Sequence, residues 1–377
     1  MGNVLMPRLG ILATHPIQYY APLYRALAAE LDLTVYFAYR PTPQEQGTGF
    51  GVPFTWDTDV TGGYEFMVLG GRFGNLSTPE IAGEIRRRRF DAFLVHGWNA
   101  RCYWQAMRAC WAARTPVLVR GDSQLSDDRS LLKRTLKRLA YPRFIARFAA
   151  CLAVGERSEA YFRYYGARRI FRSPHFVDNA AFAAGAARAR QDRAARRAAW
   201  SIPPDSMVAL YVGKLVEKKR PLDLIDAVSR VPGTHALYVG DGPLRGEAER
   251  AAAGQPVTFA GFRNQSAMPE AYAVADVLVL PSDRRETWGL AVNEAMASGL
   301  PAIVSDAVGC APDLIVPGVT GYSYPAGDRR ALADALRRVV ADPPAARAMG
   351  AAASDHVAGY SVECAARGVW QAMEGIP

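Results

Sequence analysis

Short apolar runs alternate with stretches of helical period along almost the whole chain, from Arg8 to Met373. Arg8–Thr14 and Leu33–Ala38 have the length and continuous hydrophobicity of buried strands. Pro22–Glu30, between them, gathers its apolar residues on one helical face. Ala92–Gly97, Pro116–Arg120 and Cys151–Gly155 repeat the strand signal, each followed by a helical segment. After residue 203 the alternation restarts with Met207–Val212, His235–Val239, Val257–Ala260, Val277–Pro281 and Ala302–Ser305. Strands that are apolar throughout and separated by helices predict parallel sheets covered on both faces. Two such series predict two doubly wound, Rossmann-like α/β domains facing across a cleft, with ligands at the carboxyl ends of the strands.

Two stretches break the alternation. Pro41–Thr61, rich in Gly, Pro, Thr and Gln, predicts a long loop, and such a loop in a compact domain is more often functional than idle. Ala180–Trp200 is almost wholly Ala and Arg with a few polar residues, and predicts an exposed linker helix. The expected boundaries are therefore 1–177 for the first domain, 178–204 for the linker and 205–360 for the second domain. Ser361–Met373 adds a terminal helix.

Composition narrows the class. A chain of 377 residues holds two domains of ordinary size. With 50% hydrophobic and 21% charged residues it is not a disordered polymer. Cys102, Cys110, Cys151, Cys310 and Cys364 form no CxxC pair, so they suggest neither a zinc site nor a disulfide framework and fit a reducing cytosol. The apolar run LGILAT is broken by His15 and Pro16, too soon for a signal peptide or a membrane span, which points to a cytoplasmic protein. The net charge of +9 favours anionic partners without choosing among nucleic acid, lipid and phosphorylated substrate.

The candidate chemistry concentrates in ADVLVLPSDRRETWGLAVNEAMASGLPAIVS, from Ala275 to Ser305. It reads as a buried strand, a loop holding Glu286, a tight turn at Trp288-Gly289-Leu290, a helix carrying Glu294 and a second buried strand. A helix that begins after a glycine turn points free amides and the positive end of its dipole at whatever lies in front, which suits a diphosphate. Glu286 and Glu294, eight residues apart, can then bracket a polyol, Glu294 accepting from ribose hydroxyls and Glu286 from sugar hydroxyls. Chance glutamate pairs at this spacing are common on exposed helices, so the strand-turn-helix order carries the signal. Gly213 and Lys214 close the first strand of the second half, and Lys218, Lys219 and Arg220 follow. Lys214 and Lys219 there can neutralise charge building on a leaving diphosphate. The alternative is a solvated basic loop. Gly240-Asp241-Gly242-Pro243 reads as a tight turn. Gly261-Phe262 ends a strand where backbone groups could meet a nucleobase.

In the first half, polar clusters stand after three strands. They contain His15, Gln18 and Tyr19, then His96, then Arg120 and Asp122. The first five are candidates for binding an acceptor. Asp122 is either a catalytic or acceptor-orienting carboxylate or a helix N-cap. Lys133, Arg134, Lys137, Arg138, Arg143 and Arg147 interleave with Leu136, Leu139, Phe144 and Phe148. That segment is either an ordinary helix with a basic face or a contact with an anionic membrane, worth about 1 kcal/mol per basic residue near the surface.

These motifs resemble the nucleotide-sugar domain of the family 4 retaining glycosyltransferases, which have the GT-B fold. The matching elements are VGKLVEKKRPLDLIDA, YVGDGPL, FAGF, and ETWGLAVNEAMASGLPAIVS with APDLIVPGVTGY behind it, together covering most of residues 205–345. The first half is similar more loosely, through ATHPIQYYAPLYRAL, its strand order and PHFVDN at 174–179. The resemblance implies that Lys214 and Lys219 bind the donor diphosphate, that Glu286 contacts the transferred sugar and that Glu294 holds the ribose. It implies that Trp288, Gly289 and Leu290 offer amides to the phosphate, and that the terminal helix, within 361–377, packs back on the first domain. No metal and no cofactor beyond a nucleotide diphosphate sugar, UDP- or GDP-linked, is expected. The implied acceptor is a glycan, a lipid-linked sugar or a small-molecule aglycone, in envelope polysaccharide or lipopolysaccharide synthesis at the inner face of the membrane. Nucleic acid is not an expected partner.

The chain departs from the family at three places. Pro16-Ile17-Gln18 replaces a common Gly-Gly pair, Asp122 stands near the position of a common histidine, and Arg220 replaces the glycine that usually follows the second lysine. Two other classes compete. A GT-B nucleotide-sugar epimerase would use the same diphosphate contacts without an acceptor, and a non-catalytic sugar-nucleotide or nucleic-acid binder is favoured only by net charge. A dehydrogenase is disfavoured because no GxGxxG follows the first strand.

Overall fold

Seven strands build the first sheet: β1 (Arg8–Ala13), β2 (Asp32–Phe37), β3 (Glu65–Val68), β4 (Ala92–Val95), β5 (Val117–Gly121), β6 (Ala150–Ala153) and β7 (Ile170–Arg172). Six build the second: β8 (Met207–Val212), β9 (Thr234–Val239), β10 (Val257–Gly261), β11 (Val277–Leu280), β12 (Ala302–Ser305) and β13 (Gly321–Tyr324). The computed structural model describes residues 6–125 and 131–376. All paired strands run parallel, in the orders β3-β2-β1-β4-β5-β6-β7 and β10-β9-β8-β11-β12-β13. Both sheets grow outward from their first strand, then return to its other side. The reversal falls between β1 and β4 in one sheet and between β8 and β11 in the other, and each leaves a crevice at the strands' carboxyl ends. Both expected doubly wound domains are present.

Central strands are apolar on both faces because helices cover both faces. Leu9, Ile11, Leu94 and Val95 are wholly buried in the first sheet, as are Ala209, Leu210, Leu278 and Val279 in the second. Gly10 in β1 admits the Phe93 ring of β4, since a Cβ there would stand 2.4 Å from Phe93 Cδ2.

The chain divides into two units. Unit 1 takes the residues up to Thr42, Thr58–His175 and the stretch from Val362; unit 2 takes Pro43–Asp57 and Phe176–Ser361. The terminal helix, Val362–Glu374, lies in unit 1 against β6, β7 and the helix Ala21–Ala28. Its Gly368 sits so close that a Cβ would be 1.9 Å from the Arg172 carbonyl, and Ser173 Oγ donates to Ala365 O at 2.9 Å.

The Ala/Arg stretch differs from the exposed linker helix expected over 178–204. It forms two helices, Asn179–Arg190 and Arg193–Ala199, packed in unit 2 on the helix Met268–Val274. Alanines and Phe182 supply a buried face, and the arginines bind inward. Arg197 donates to Val274 O and, at 2.7 Å, to Asp276 Oδ2; Arg193 reaches Asp276 Oδ1 at 2.5 Å. Asp276 also accepts from the Val208 amide at 2.8 Å, so these arginines fasten the entrances of β8 and β11.

Arg220 adopts left-handed backbone angles, φ 49° and ψ 51°, just before the helix Pro221–Ser229. An L side chain pays roughly 1–2 kcal/mol there, which is why glycine is the common choice. Here the Arg220 guanidinium reaches back to Asp223, Nε to Oδ2 at 2.6 Å, while Arg329 holds Oδ1 at 2.9 Å. Asp223 is buried, so the pairing offsets the backbone strain. Arg220→Ala keeps the strain and loses the pairing, whereas Arg220→Gly loses both. Chemical denaturation should find the alanine variant less stable than the glycine variant by about 1 kcal/mol, and equal stabilities would mean the backbone there carries no strain.

Candidate functional site

In unit 2 the loops after β8 and β11 face each other across the point where the strand order reverses. After β8 come Gly213 and Lys214, then a single 3-10 turn, Glu217–Lys219. After β11 the chain runs through Ser282, Asp283 and Glu286 to Gly289, where the helix Leu290–Ala297 begins. The loops are joined twice: the Asp283 amide donates to Lys218 O at 2.8 Å, and Lys219 Nζ stands 2.7 Å from Glu286 Oε2. Both side chains of that ion pair are largely buried, 15% and 13% exposed, so the pair is screened far less than one on the surface. Gly213 permits this closeness, since a Cβ on it would come within 3.0 Å of Lys219 Cδ, at a φ of 140°.

Glu286 is held through its backbone as well. Its amide donates to Asp283 O, its carbonyl accepts from Gly309 N at 2.9 Å, and Ser305 Oγ donates to Ser282 O beside it. Gly309 has no room for a side chain, because a Cβ would lie 1.8 Å from Thr287 O. Trp288 is buried, its indole N–H donating to Asn293 Oδ1 at 2.8 Å and its carbonyl accepting from Cys310 N. Gly289 caps the helix at φ 104° and presses on Leu280. The start of that helix carries the positive end of its dipole, and the Val292 amide turns back to the Gly289 carbonyl at 2.9 Å. Glu294, deep in the same helix and 2% exposed, has Oε2 fixed by the Tyr272 hydroxyl at 2.6 Å.

Lys214 lies beside this pair and donates to Thr48 O at 2.7 Å. Burial lowers its pKa, and the neighbouring Lys218 and Lys219 charges lower it further. Phe262, after β10, packs on Phe50 and Phe54. The structure thus joins Lys219 to Glu286, sets Lys214 next to Lys219, and groups Phe262 with Phe50 and Phe54 of the loop predicted over Pro41–Thr61. Among the described residues no three His, Cys, Asp or Glu side chains are grouped to hold a metal ion.

In unit 1 the corresponding crevice, between β1 and β4, has a different lining. His96 stacks on Tyr20 at 4.4 Å between ring centroids, and its Nε2 lies 3.2 Å from the Tyr24 hydroxyl. His15 stands apart from this stack, against Thr14 Oγ1 at 3.0 Å and the Tyr39 ring. Gln18 Oε1 and His96 Nδ1 are buried without a hydrogen-bond partner within the protein. Tyr19 follows Gln18 in the same loop, half-buried. Arg120, 2% exposed, donates to Ser173 O and Oγ and to Pro174 O at 2.7 Å, so it braces the end of β7. Asp122 is close enough to Tyr20 and Arg120 to act on both electrostatically. His175 shares this field: desolvation first, then Arg120 and His96, holds its pKa well below the usual histidine value. Tyr20 belongs to the polar cluster after the first strand; Tyr24 and His175 carry no signal of their own in the sequence, although His175 sits in the PHFVDN motif.

The basic segment forms the helix Leu131–Ile145 with Pro142 inside it. Lys137 lies over the Tyr141 ring and Arg147 over Trp111, while Leu139 is 63% exposed. The side chains of Lys133, Arg134 and Leu136 lie outside the described residues. Among the described residues no helix is long and apolar enough to cross a membrane.

Residues 192–356 match the family described as Glycosyl transferases group 1. Over 162 residues, 42% of this chain and 31% of the relative, the sequence is 35% identical to sulfoquinovosyl transferase SQD2 of Arabidopsis thaliana. Over 201 residues, 49% of this chain and 42% of the relative, it is 33% identical to D-inositol 3-phosphate glycosyltransferase of Mycolicibacterium gilvum. The chain therefore spans about a third to two-fifths of the length of these relatives. Alr3699/HepE of Anabaena, solved with UDP, superposes over 98% of this chain and 100% of its own with a TM-score of 0.71 at 18% identity. The fold is GT-B.

The unit 1 histidines give a pH signature. Burial and the Arg120 charge push His96 down to about 3, and His175 moves the same way. Both are neutral in the folded chain, whereas the unfolded chain takes up their protons below about 6.5. Stability is thus complete above pH 6.5 and declines as pH falls towards 3, by at most about 1.4 kcal/mol per pH unit for each histidine. Melting curves between pH 4 and 7 should show this slope, and His96→Gln should flatten it. A slope unchanged by that substitution would locate the acid sensitivity elsewhere.

Proposed function

We propose that the protein is a retaining glycosyltransferase of family 4 that moves a hexosyl or related sugar from a UDP- or GDP-sugar to an acceptor hydroxyl. The observation that carries this reading is the Lys219–Glu286 pair, 2.7 Å apart where the strand order of the second sheet reverses, with Lys214 alongside and a helix starting at Gly289. A cationic pair of lysines and a helix N-terminus suit a diphosphate, and carboxylates suit the sugars at its two ends. The group 1 family match of residues 192–356 and the UDP complex of a protein with the same fold support it.

In this reading Lys214 and Lys219 bind the two phosphates and the amides of Trp288, Gly289 and Leu290 complete the cradle, which takes over the role a metal has elsewhere. Glu294, oriented by Tyr272, accepts from the ribose, and Glu286 accepts from hydroxyls of the transferred sugar. The bond between the anomeric carbon and the diphosphate oxygen breaks. The acceptor oxygen bonds to that carbon on the same face, and its proton passes to a donor phosphate oxygen. Lys219 neutralises the negative charge gathering on the leaving diphosphate. His15, Gln18, Tyr19, His96 and Asp122 of unit 1 orient the acceptor, a glycan or lipid-linked sugar of envelope polysaccharide or lipopolysaccharide synthesis. The enzyme works in the cytoplasm, where the basic helix bearing Arg138 and exposed Leu139 attracts it to anionic lipid.

Removing a preorganised cation of this kind costs about a hundred- to a thousandfold in turnover. Lys219→Ala should show that loss in release of nucleoside diphosphate while keeping a cooperative melting transition, and near-normal turnover would count against the assignment. UDP-, GDP-, ADP- and dTDP-sugars should be screened by thermal stabilisation. One of them should raise the melting point of the wild-type chain, and no shift with any would remove the donor reading.

A further inference from the structure

Between β2 and β3 the chain leaves unit 1 over Pro43–Asp57 and packs within unit 2. Its far end is pinned to the loop after β10. Asn264 Nδ2 donates to Thr55 O at 2.7 Å, Ser266 N donates to Asp57 Oδ1 at 3.1 Å, and Ser266 Oγ donates to Asp57 Oδ2. Its middle is apolar, with Phe54 4.5 Å from the Phe262 ring and 4.9 Å from Trp56, and Phe50 5.1 Å from Phe262. The near end turns through Gly49 and Gly51, at φ +83° and +75°, and lays Thr48 and Phe50 against Lys214. Lys214 Nζ donates to Thr48 O at 2.7 Å and lies 4.5 Å from the centroid of the Phe50 ring. A Cβ on Gly49 would stand 3.1 Å from Lys214 Cδ and Nζ, so a larger residue there would push the lysine aside.

A lysine stem is flexible, and Lys218 and Lys219 repel the Lys214 charge. Without an opposing attraction the ammonium would swing towards water. A carbonyl oxygen and the negative face of an aromatic ring supply that attraction. The ammonium has three donors and Thr48 takes one, so the hold is compatible with phosphate contacts. A cation fixed before the ligand arrives has no reorganisation cost to meet on binding.

We propose that Phe50, together with the Thr48 carbonyl, is a positioning residue of the donor site, holding the Lys214 ammonium where it meets the diphosphate of the nucleotide sugar. This rests on the reading of Lys214 as a diphosphate ligand. Phe50 then acts through Lys214, and its influence is confined to the phosphate part of the ligand.

The test is calorimetric titration of the 377-residue chain with UDP and with uridine, which lacks the phosphates. Should the donor screen select guanine, GDP and guanosine take their place. Phe50→Ala should weaken UDP about tenfold and leave uridine within about twofold, while Phe50→Tyr, which keeps the ring, stays within about twofold of wild type for both. Phe50→Leu keeps apolar bulk without the ring face and should reproduce the selective loss, which covers a poorly folded alanine variant. Equal losses for UDP and uridine would make Phe50 a wall of the nucleobase site and overturn the proposal. Unchanged or tighter UDP binding would overturn it too, the latter by showing that the segment competes with the donor. A wild-type chain that binds no nucleoside diphosphate removes the donor reading and this inference together; a wild type that binds UDP, matched by Phe50→Ala, removes this inference alone.

Discussion

One lysine ammonium against one carboxylate joins the two loops on which unit 2's site depends. A doubly wound sheet leaves the loops after β8 and β11 diverging at the strand-order reversal, and no ladder hydrogen bond can tie them there. Lys219 and Glu286 span that gap at 2.7 Å, with the Asp283 amide on the Lys218 carbonyl as a second stitch. The surrounding features keep the carboxylate in place. Gly309 lies against the Thr287 carbonyl, Trp288 is pinned by Asn293, and Ser305 donates to Ser282. Packing and main-chain hydrogen bonds therefore fix the backbone around Glu286.

The two units share a strand order and differ in what they place at its reversal. Unit 2 gathers lysines against a carboxylate. Unit 1 gathers tyrosines and uncharged histidines around a single buried arginine whose donors are directed to the backbone of β7's exit. The same topology thus offers one electrostatically active crevice and one nearly neutral crevice, and side-chain chemistry alone makes the difference. The net charge of the chain, +9, says little about either, since much of it sits in helices outside both crevices.

How much of this could be read from the sequence follows from burial. The central strands were legible because both their faces are covered, which leaves an unbroken apolar run. β3, β7 and β13, at sheet edges, gave no such signal because Glu65, Arg172 and Ser323 interrupt their short apolar runs, whereas β10, also an edge, keeps Val257, Phe259 and Ala260. The Gly-turn-helix order before Glu294 was legible because glycine at a left-handed position has few substitutes. The inward-facing arginines of 193–199 were not, because Ala and Arg in alternation have the same composition on a solvated helix as on one whose guanidiniums find Asp276 and a helix-end carbonyl. Nor could spacing reveal that Pro43–Asp57 belongs with residues two hundred positions later, since its contacts are made by main-chain oxygens, by rings and by the single carboxylate of Asp57, with no fixed period.

The terminal helix has a consequence for how the molecule is made. Gly368 against the Arg172 carbonyl and Ser173 against Ala365 make that helix part of unit 1's own interior. Unit 1 is thus built from stretches on both sides of unit 2 in the chain, and its interior lacks a wall until the helix Val362–Glu374 is in place. Removing that helix would uncover β6, β7 and the helix Ala21–Ala28, so damage after residue 361 is felt in the part of the chain that comes first.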